Sequence, residues 1–337
     1  MQSRNSGDAW DDAFARAWQE RSSHAPAAHF EFDPACLTWQ ARHGAPLLAA
    51  LVDDARGPGL ALLLAITPRT LTGGAPWRWA LAVEQDAVAP RFEPAPADAA
   101  RAIAAARALA GARRLRMYLP SAACPGGMRA GATCVNALDS DADRMLHALD
   151  DAKRRAIRKA TRAGYVVRAA TTHGQFRAFA ELQQETEARH GYARHAVPET
   201  AEPGEQWREW ELPWMWLLVA EKEGRVEAGS GFGRLARGSL DYRTNASSEQ
   251  ARKDGANVLL GWEAMRLGAL AGHRWLNWCG ATRFKREFGG EVIPVSCHLG
   301  GDLRWSIPNQ LERSWRGARP WMAGWAKRLG ARRGAAS

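Results

Sequence analysis

Residues 274–290 have the sequence RWLNWCGATRFKREFGG, and this stretch decides the fold. It opens with an apolar run over 274–278 that predicts a short buried strand. The preceding residues, GANVLLGWEAMRLGALAG over 255–272, predict a helix over 257–271. A Phe-Lys pair, Phe284-Lys285, and a pair of glycines follow the strand. The order helix, strand, basic turn is typical of an α/β protein.

The same alternation extends over most of the second half of the chain. A helix should begin after Ser140 and end at Gly164, with a basic polar face that includes Lys153. A loop over 246–255 should precede the helix at 257–271. The other predicted elements are strands at 165–168, 214–221, 226–235 and 239–245, a turn at 223–224, and a helix at 173–190.

The first half shows a weaker version of this pattern. It predicts helices at 8–21 and 96–111 and strands at 46–52, 60–66, 77–83 and 115–119, the first two strands forming a hairpin. We therefore expect an α/β fold with a mixed sheet, built from two similar domains in tandem. The expected divisions are an N-terminal helix and linker over 1–27, domains over 28–139 and 140–300, and a tail over 301–337.

Composition limits the class of protein. The 337 residues suffice for two domains, and 46% hydrophobic and 24% charged residues are ordinary for a globular chain. Residues 1–7 are polar and the apolar segment at 60–66 is too short for a bilayer, so we expect a cytoplasmic protein without a transmembrane segment. Five cysteines without CxxC spacing argue against a disulfide framework or a metal site. Cys279 lies within the deciding stretch.

The net charge of +10 admits anionic partners, such as nucleic acid, nucleotide-bearing substrates or a membrane surface. An arginine-rich composition from a GC-rich genome is the competing explanation. The tail over 303–337 contains basic residues interleaved with tryptophans. Such a tail can bind RNA or touch a membrane peripherally, but a terminal helix that packs on the body is the interpretation we favour.

The segment Arg252-Lys253-Asp254-Gly255-Ala256-Asn257 lies between a predicted strand and a predicted helix. It resembles the donor-binding loop of GNAT acyltransferases, in which glycine permits positive φ and helix N-terminal amides bind a pyrophosphate. The resemblance makes Arg252, Lys253, Gly255 and Asn257 candidate donor-binding residues, although Asn257 replaces a small residue. A glycine-containing helix start without a ligand explains the segment equally well.

A wider set of motifs resembles the FemABX family of peptidoglycan-bridge aminoacyltransferases and their FemAB-like relatives. The matching positions are Ile157-Arg158-Lys159-Ala160 with Gly164, Glu185-Thr186 with Arg189-His190-Gly191, Trp262-Glu263-Ala264, and Phe284-Lys285 with Phe288-Gly289-Gly290. The resemblance covers roughly residues 140–295. It implies two GNAT-like domains and transfer of an amino acid from aminoacyl-tRNA to an amine on a cell-wall precursor.

The resemblance also implies roles for individual residues. Lys285 corresponds to the lysine at the family's catalytic centre, with Phe284 beside it in the donor site, and Arg189 corresponds to an arginine that helps to hold an anionic acceptor. The chain departs from the family at Asn277-Trp278-Cys279-Gly280, where relatives often have Asp-x-Gly. It also lacks the coiled-coil insertion that binds tRNA in staphylococcal-type members.

The residues themselves suggest a mechanism for amide formation. An amine attacks an activated carbonyl, and a cation at the developing oxyanion lowers the barrier. Lys285, beside the donor-site candidate Arg283, suits that role, and Tyr242 is a candidate to protonate the leaving group. A solvated lysine and a half-buried strand tyrosine are the structural alternatives. Near the acceptor, His190 is a candidate binding residue, and the candidate bases are His190, His195 and Glu187.

Three functions therefore remain open. The first is an aminoacyltransferase that uses aminoacyl-tRNA and an amine acceptor, either a peptidoglycan precursor or a small peptide or natural-product amine. The second is an N-acyltransferase that uses acyl-CoA. The third is a non-catalytic RNA-binding protein that uses the basic helix and tail. None of the three requires a tightly bound cofactor.

Overall fold

We analysed the fold in a computed structural model. It describes residues 2–5, 9–23, 32–43, 47–54, 57–70, 76–82, 103–105, 108, 114–121, 128–190, 210–300 and 310. The predicted helix at 96–111 and the basic, tryptophan-rich tail at 301–337 lie almost entirely outside these residues. Across the described part of the chain, no helix combines the length and the apolar character that crossing a membrane requires.

Within the described residues, twelve strands form one sheet in the order β1-β2-β3-β4-β5-β12-β6-β11-β10-β9-β8-β7. The strands are β1 (Gln2–Asn5), β2 (Leu47–Asp54), β3 (Gly57–Thr70), β4 (Pro76–Ala82), β5 (Arg114–Pro120), β6 (Met128–Ala137), β7 (Val166–Ala169), β8 (Met215–Lys222), β9 (Arg225–Arg234), β10 (Ser239–Ser247), β11 (Trp275–Asn277) and β12 (Glu291–Gly300). The pairs β4–β5 and β10–β11 are parallel, and the other pairs are antiparallel. The mixed sheet confirms the predicted fold class.

The helices lie between these strands along the chain. They are α1 (Asp12–Ser23), α2 (Pro34–His43), α3 (Ala142–Ala148), α4 (Asp151–Arg162), α5 (His173–His190), α6 (Glu249–Asp254), α7 (Ala256–Leu270) and α8 (Arg283–Arg286). The predicted hairpin of the first half is confirmed as β2–β3. The strands β6 and β12 and the helix α2 were not predicted.

Strand β12 lies near the centre of the sheet, where it pairs with β5 on one side and β6 on the other. The last strand of the described chain therefore lies between two strands of its first half. On its other side β6 pairs with β11, so backbone hydrogen bonds run without a break from the first half to the second. The predicted domain divisions at 27, 139 and 300 stay a prediction.

Helices cover both faces of the β8–β10 region. On one face, Phe179 of α5 and the Trp210 ring occupy the space that side chains at Gly229 and Gly231 would fill. On the other face, α7 packs closely enough that a Cβ on Gly268 would lie 2.6 Å from Leu240. Small residues thus allow both helices to approach the sheet, and α4 then packs on the outside of α7.

Two local predictions in this half were wrong. The single helix expected from Ser140 to Gly164 is interrupted, because Leu149 is extended and the Asp150 carboxylate accepts a hydrogen bond from the Ala152 amide at 2.7 Å, which starts α4 as a new helix. The loop expected at 246–255 contains the short helix α6, whose first turn is capped by the Ser248 hydroxyl. The sequence contains the capping residues Asp150 and Ser248, but it does not reveal which backbone amides their side chains bind.

Candidate active site

The turn between β11 and α8 is held by side-chain hydrogen bonds. Cys279 has a φ of 49° and Gly280 a φ of 145°, so the backbone reverses through conformations that ordinary residues avoid. The Asn277 carboxamide oxygen accepts from the Cys279 amide at 2.9 Å and from the Thr133 hydroxyl at 2.5 Å. These bonds hold the turn against β6. They place α8, which contains Phe284 and Lys285, next to the end of β11.

Lys285 is the cation at the centre of this region. Its ammonium donates to the Trp278 carbonyl oxygen at 2.5 Å and lies 4.7 Å from the centroid of the Tyr242 ring. Within the described residues it forms no salt bridge. Partial burial lowers the pKa of Lys285, and the nearby thiols of Cys279 and Cys134 oppose that shift. The arrangement leaves N–H groups of the ammonium able to donate to an incoming oxygen.

An aromatic cluster supports the lysine. The Trp278 ring lies 5.5 Å from Tyr242, 6.4 Å from Phe284 and 4.5 Å from Phe288, measured between ring centroids. The Trp278 indole N–H donates to the Asn136 side chain at 2.7 Å, which satisfies its one polar group. Burial raises the pKa of Tyr242, so its phenol stays protonated and can donate a hydrogen bond.

Lys153 of α4 is a residue of this site that the sequence analysis misplaced. Its side chain was expected on the exposed basic face, but it is only 5% exposed. The ammonium lies 3.8 Å from the Phe284 ring centroid, 4.8 Å from that of Phe288, and 3.3 Å from a Glu287 carboxylate oxygen. The spacing of Leu149, Lys153 and Ile157 at i, i+4 and i+8 contained the signal, since it places Lys153 on the apolar side of the helix.

Arg283 is the first residue of α8. Its side chain is 90% exposed, and Nε donates to the other Glu287 oxygen at 2.7 Å. Glu287 therefore joins an exposed arginine to the buried Lys153, and both cations help to lower the pKa of its carboxyl group. The predicted donor-site residues Phe284 and Arg283 and the predicted catalytic residues Lys285 and Tyr242 thus belong to one region.

The glycine turn lies elsewhere. Gly255 has a φ of 88°, as the motif predicts, and ends α6 in the left-handed conformation. A Cβ at this position would lie 3.0 Å from the Ala156 carbonyl oxygen of α4. The side chain of Asn257 donates to the Ser247 hydroxyl at 3.1 Å and accepts from Asn245 at 3.3 Å. Both residues therefore tie α7 to its neighbours in the fold.

The cations of the glycine turn point outward. Arg252 and Lys253 are exposed, and the Lys253 ammonium pairs with Glu249 at 2.8 Å. Lys253, Arg252 and Arg189 all help to lower the pKa of Glu249, which places the predicted acceptor residue Arg189 beside this turn. His190 is the last residue of α5, and the candidate base His195 lies outside the described residues.

The two groups of predicted residues contact different parts of β10, one near its middle at Tyr242 and the other at its C-terminal end. Tyr242 and Ser247 are five residues apart, which corresponds to about 17 Å along a strand. Helix α4 contacts both groups. Its Lys153 ammonium lies over the Phe284 ring, and its Lys159 ammonium donates to the Lys253 carbonyl at 2.7 Å. Across the described residues, no three side chains of the metal-binding types are grouped so as to hold a metal ion.

Comparison with known proteins shows a partial match to one family and a shared fold. A profile of the FemAB family matches residues 132–197, which run from β6 through α4 into and beyond α5. The crystal structure of FemX matches with a TM-score of 0.60 and 12% identity, covering 91% of this chain and 99% of FemX. The chain is FemAB-like. The profile match over residues 132–197 supports the resemblance predicted from the motifs, and the match to FemX shows a common fold.

Other comparisons add the fold but no activity. A conserved protein of unknown function from Bacteroides thetaiotaomicron matches with a TM-score of 0.50 and 11% identity, over 88% of the FemAB-like chain and 99% of that protein. No curated protein sequence matches significantly. The family match includes the Ile157–Ala160 motif and the Glu185-Thr186 pair, but it ends well before Phe284-Lys285.

Proposed function

We propose that this FemAB-like protein transfers an aminoacyl group from aminoacyl-tRNA to an amine acceptor, such as the free amine of a peptidoglycan precursor or a small peptide. The observation that carries the proposal is the Lys285 ammonium, which is partly buried, bound to the Trp278 carbonyl and in contact with the Tyr242 ring. A cation in such surroundings is suited to a carbonyl oxygen that becomes negative during the reaction.

The first step of this mechanism forms the new bond. The nitrogen lone pair of the acceptor attacks the carbonyl carbon of the aminoacyl ester, and the carbonyl π electrons move to the oxygen. Lys285 donates a hydrogen bond to that oxygen and stabilises its charge more in the transition state than in the substrate, which is the requirement for acceleration. Loss of one such donor typically reduces kcat by about 10²–10³-fold.

The second step breaks the ester. The tetrahedral intermediate collapses, the C–O bond to the ribose is cleaved, and the ribose oxygen takes a proton while the new amide nitrogen loses one. Tyr242 is the proposed proton donor, and the raised pKa of its phenol keeps the proton in place until the leaving group needs it. The proton that the new amide nitrogen loses then returns to the Tyr242 phenolate, which restores the enzyme. The products are the amide and the deacylated tRNA, and no redox group takes part.

Arg189 and His190, at the end of α5, are the proposed acceptor-binding residues, and an arginine suits the carboxylates or phosphates of a cell-wall precursor. The Arg189 guanidinium donates to the Thr186 hydroxyl at 3.1 Å. A bound precursor would therefore have to reach from this helix to Lys285.

A donor competition assay tests the proposal. Purified protein is incubated with a mixture of charged tRNAs or with acetyl-CoA, together with a panel of amine acceptors, and products are identified by mass spectrometry. We expect an acceptor heavier by one amino-acid residue, formed only with charged tRNA. Thermal stabilisation by the donor provides an independent readout, because a ligand that binds the native state must raise the melting temperature.

The controls separate the three functions. Deacylated tRNA should stabilise the protein without yielding product, and the Lys285→Ala variant should bind charged tRNA without turning it over. An acceptor heavier by an acetyl group, formed with acetyl-CoA alone, would replace the proposal with acyl-CoA-dependent transfer. RNA binding with no product from any donor would indicate a non-catalytic RNA-binding protein.

A further inference from the structure

The outer face of α4 contains three arginines in a row. Arg155, Arg158 and Arg162 are exposed and follow the spacing i, i+3 and i+7, so they lie on one side of the helix. We refer to these three residues as the arginine stripe. Within the described residues, no member of the stripe forms a salt bridge.

The neighbouring acids already have partners. Asp151 pairs with Arg154, which also donates to the carbonyl oxygens of His147 and Leu149. Asp254 accepts from Gln250 at 3.0 Å and lies 4.0 Å from Lys159. Like charges at i, i+3 and i+4 destabilise an isolated helix. Arg162 offsets part of that cost, because it lies in the last turn and donates to the Arg158 carbonyl at 3.3 Å. A polyanionic ligand would attract all three arginines and offset their mutual repulsion.

The position of the stripe relates it to the active site. Through Lys153 the inner face of α4 touches Phe284, and through Lys159 its C-terminal end touches the Lys253 carbonyl. The exposed Arg252 and Lys253 extend the positive surface beyond that end. From Arg155 to Arg162 the helix rises about 10 Å, which is long enough for the three guanidinium groups to contact more than one phosphate of a nucleic-acid strand.

The chemistry favours a nucleic-acid backbone over a membrane. Helices that lie in a membrane interface insert an apolar face beneath their basic face. In α4 the apolar residues Ile157 and Ala160 are buried in the core that α4 shares with α7. They cannot enter a bilayer while the fold is intact. Guanidinium groups, in contrast, match phosphate oxygens in pairs.

We propose that the arginine stripe binds the phosphate backbone of the acceptor-arm duplex of the donor tRNA, while the single-stranded 3′ end continues to Lys285. The inference rests on the proposed function, because it assigns the surface to the donor. It adds a docking site outside the reaction centre, formed by side chains that touch neither the ester nor the acceptor.

The test compares two triple variants of equal charge. The stripe variant is Arg155→Ala, Arg158→Ala and Arg162→Ala. The control is Arg16→Ala, Arg177→Ala and Arg225→Ala, which removes three exposed arginines from other surfaces. Binding of labelled, deacylated tRNA is measured over a range of salt concentrations. We expect at least a tenfold loss of affinity at low salt for the stripe variant, a salt slope smaller by about two to three, and less than a threefold change for the control.

Transfer assays separate this inference from the proposed function. The donors are full aminoacyl-tRNA and an aminoacyl ester of the 3′-terminal dinucleotide, which has no duplex. The stripe variant should lose transfer from the full tRNA, mainly as a higher KM, and should use the dinucleotide ester at the wild-type rate. If wild-type protein uses neither donor but its tRNA binding depends on the stripe, the proposed function fails and the RNA surface stands.

Three outcomes would overturn the inference. The stripe variant could bind tRNA as tightly as wild type, or the control variant could lose as much affinity as the stripe variant. The third is stripe-dependent binding to vesicles containing anionic phospholipid, with tRNA affinity unchanged, which would assign the surface to a membrane. Circular dichroism of each variant confirms that its fold is intact.

Discussion

The Phe284-Lys285 element and the Arg252–Asn257 turn both contain cations, and these cations have different surroundings. Lys285 is partly buried, bound to a backbone carbonyl and surrounded by aromatic rings. Arg252 and Lys253 face the solvent, and Lys253 is neutralised by Glu249. Gly255, two residues after Lys253, packs against the Ala156 carbonyl of α4.

The difference indicates which cation is better suited to the proposed reaction. An interaction between charges weakens as the surrounding medium becomes more like water, and exposed ion pairs are typically worth only about 0–1 kcal/mol. A partly desolvated ammonium interacts much more strongly with a developing oxyanion. We therefore propose that the reaction takes place at Lys285. The turn around Gly255 has a supporting role, in folding and in attracting the donor.

The largest expected effect is at Lys285. Replacing Lys285 with Ala should lower kcat by about 10²–10³-fold, because the oxyanion loses its charged donor. The free energy of unfolding should fall by about 1–2 kcal/mol, because Lys285 loses one hydrogen bond and one cation–π contact and forms no ion pair within the described residues. Steady-state kinetics with saturating donor measure the loss, and a melting curve within a few degrees of wild type shows that the protein is folded. Wild-type turnover by this variant would remove Lys285 from the mechanism.

The next effect is at Gly255, and it concerns stability. Replacing Gly255 with Ala should lower the free energy of unfolding by about 2 kcal/mol, since alanine is strained at positive φ. Its Cβ would also lie 3.0 Å from the Ala156 carbonyl. Urea denaturation measures the change, and Gly272→Ala is the control, because that glycine has a φ of 81° with open space around it. A Gly255 variant of normal stability that no longer binds donor would assign the turn to the donor after all.

A smaller effect is expected at Lys153. Replacing Lys153 with Met keeps most of its volume but removes the pair with Glu287 and the cation–π contacts with Phe284 and Phe288. Such contacts are worth about 1–2 kcal/mol when desolvated, so kcat should fall about tenfold as α8 loses its fixed orientation. The donor KM should not change. A raised KM with normal kcat would indicate that Lys153 binds donor instead of positioning Phe284 and Lys285.

The smallest effect is expected at Arg252. Replacing Arg252 with Ala should leave kcat unchanged and raise the KM for aminoacyl-tRNA about two- to fivefold at low salt, because it removes one exposed charge that attracts the polyanion. At high salt the difference should disappear. A loss of kcat would contradict the assignment of this turn to a supporting role. Lys253→Ala provides the parallel measurement for the neighbouring cation.

Much of this architecture follows from local sequence. The helix at 173–190 begins and ends where the pattern predicts, and the turn at 223–224 adopts positive φ at both residues. The pairing of β12 between β5 and β6 could not be predicted, because hydrogen bonds between strands so distant in sequence have no local signature. Neither could the break at Asp150, where a side chain competes with the backbone for the Ala152 amide.

The sequence predicts which residues belong to the candidate site, but it does not predict which of them lie close together in the fold. Lys285, Phe284 and Tyr242 were chosen from motifs and strand position, and tertiary packing brings them together. The role of Asn257 in tying α7 to β10 depends on Asn245 and Ser247, whose orientation the sequence does not reveal. Lys153 was misplaced because lysines are seldom buried without a partner, and its partners Glu287 and Phe284 lie over 130 residues away.

The pH dependence of aminoacyl transfer, compared between wild type and Lys285→Arg, tests the central claim most directly. Single-turnover rates are measured with aminoacyl-tRNA, and spontaneous ester hydrolysis is subtracted at each pH. The side chain must be protonated to act, and burial lowers the pKa of Lys285. The wild-type rate should therefore fall as the pH rises, at a pH below that at which an ordinary lysine loses its proton. The arginine variant should be slower but should show no such fall, because its guanidinium stays charged. Identical alkaline profiles for the two proteins would contradict the assignment of Lys285 to the reaction.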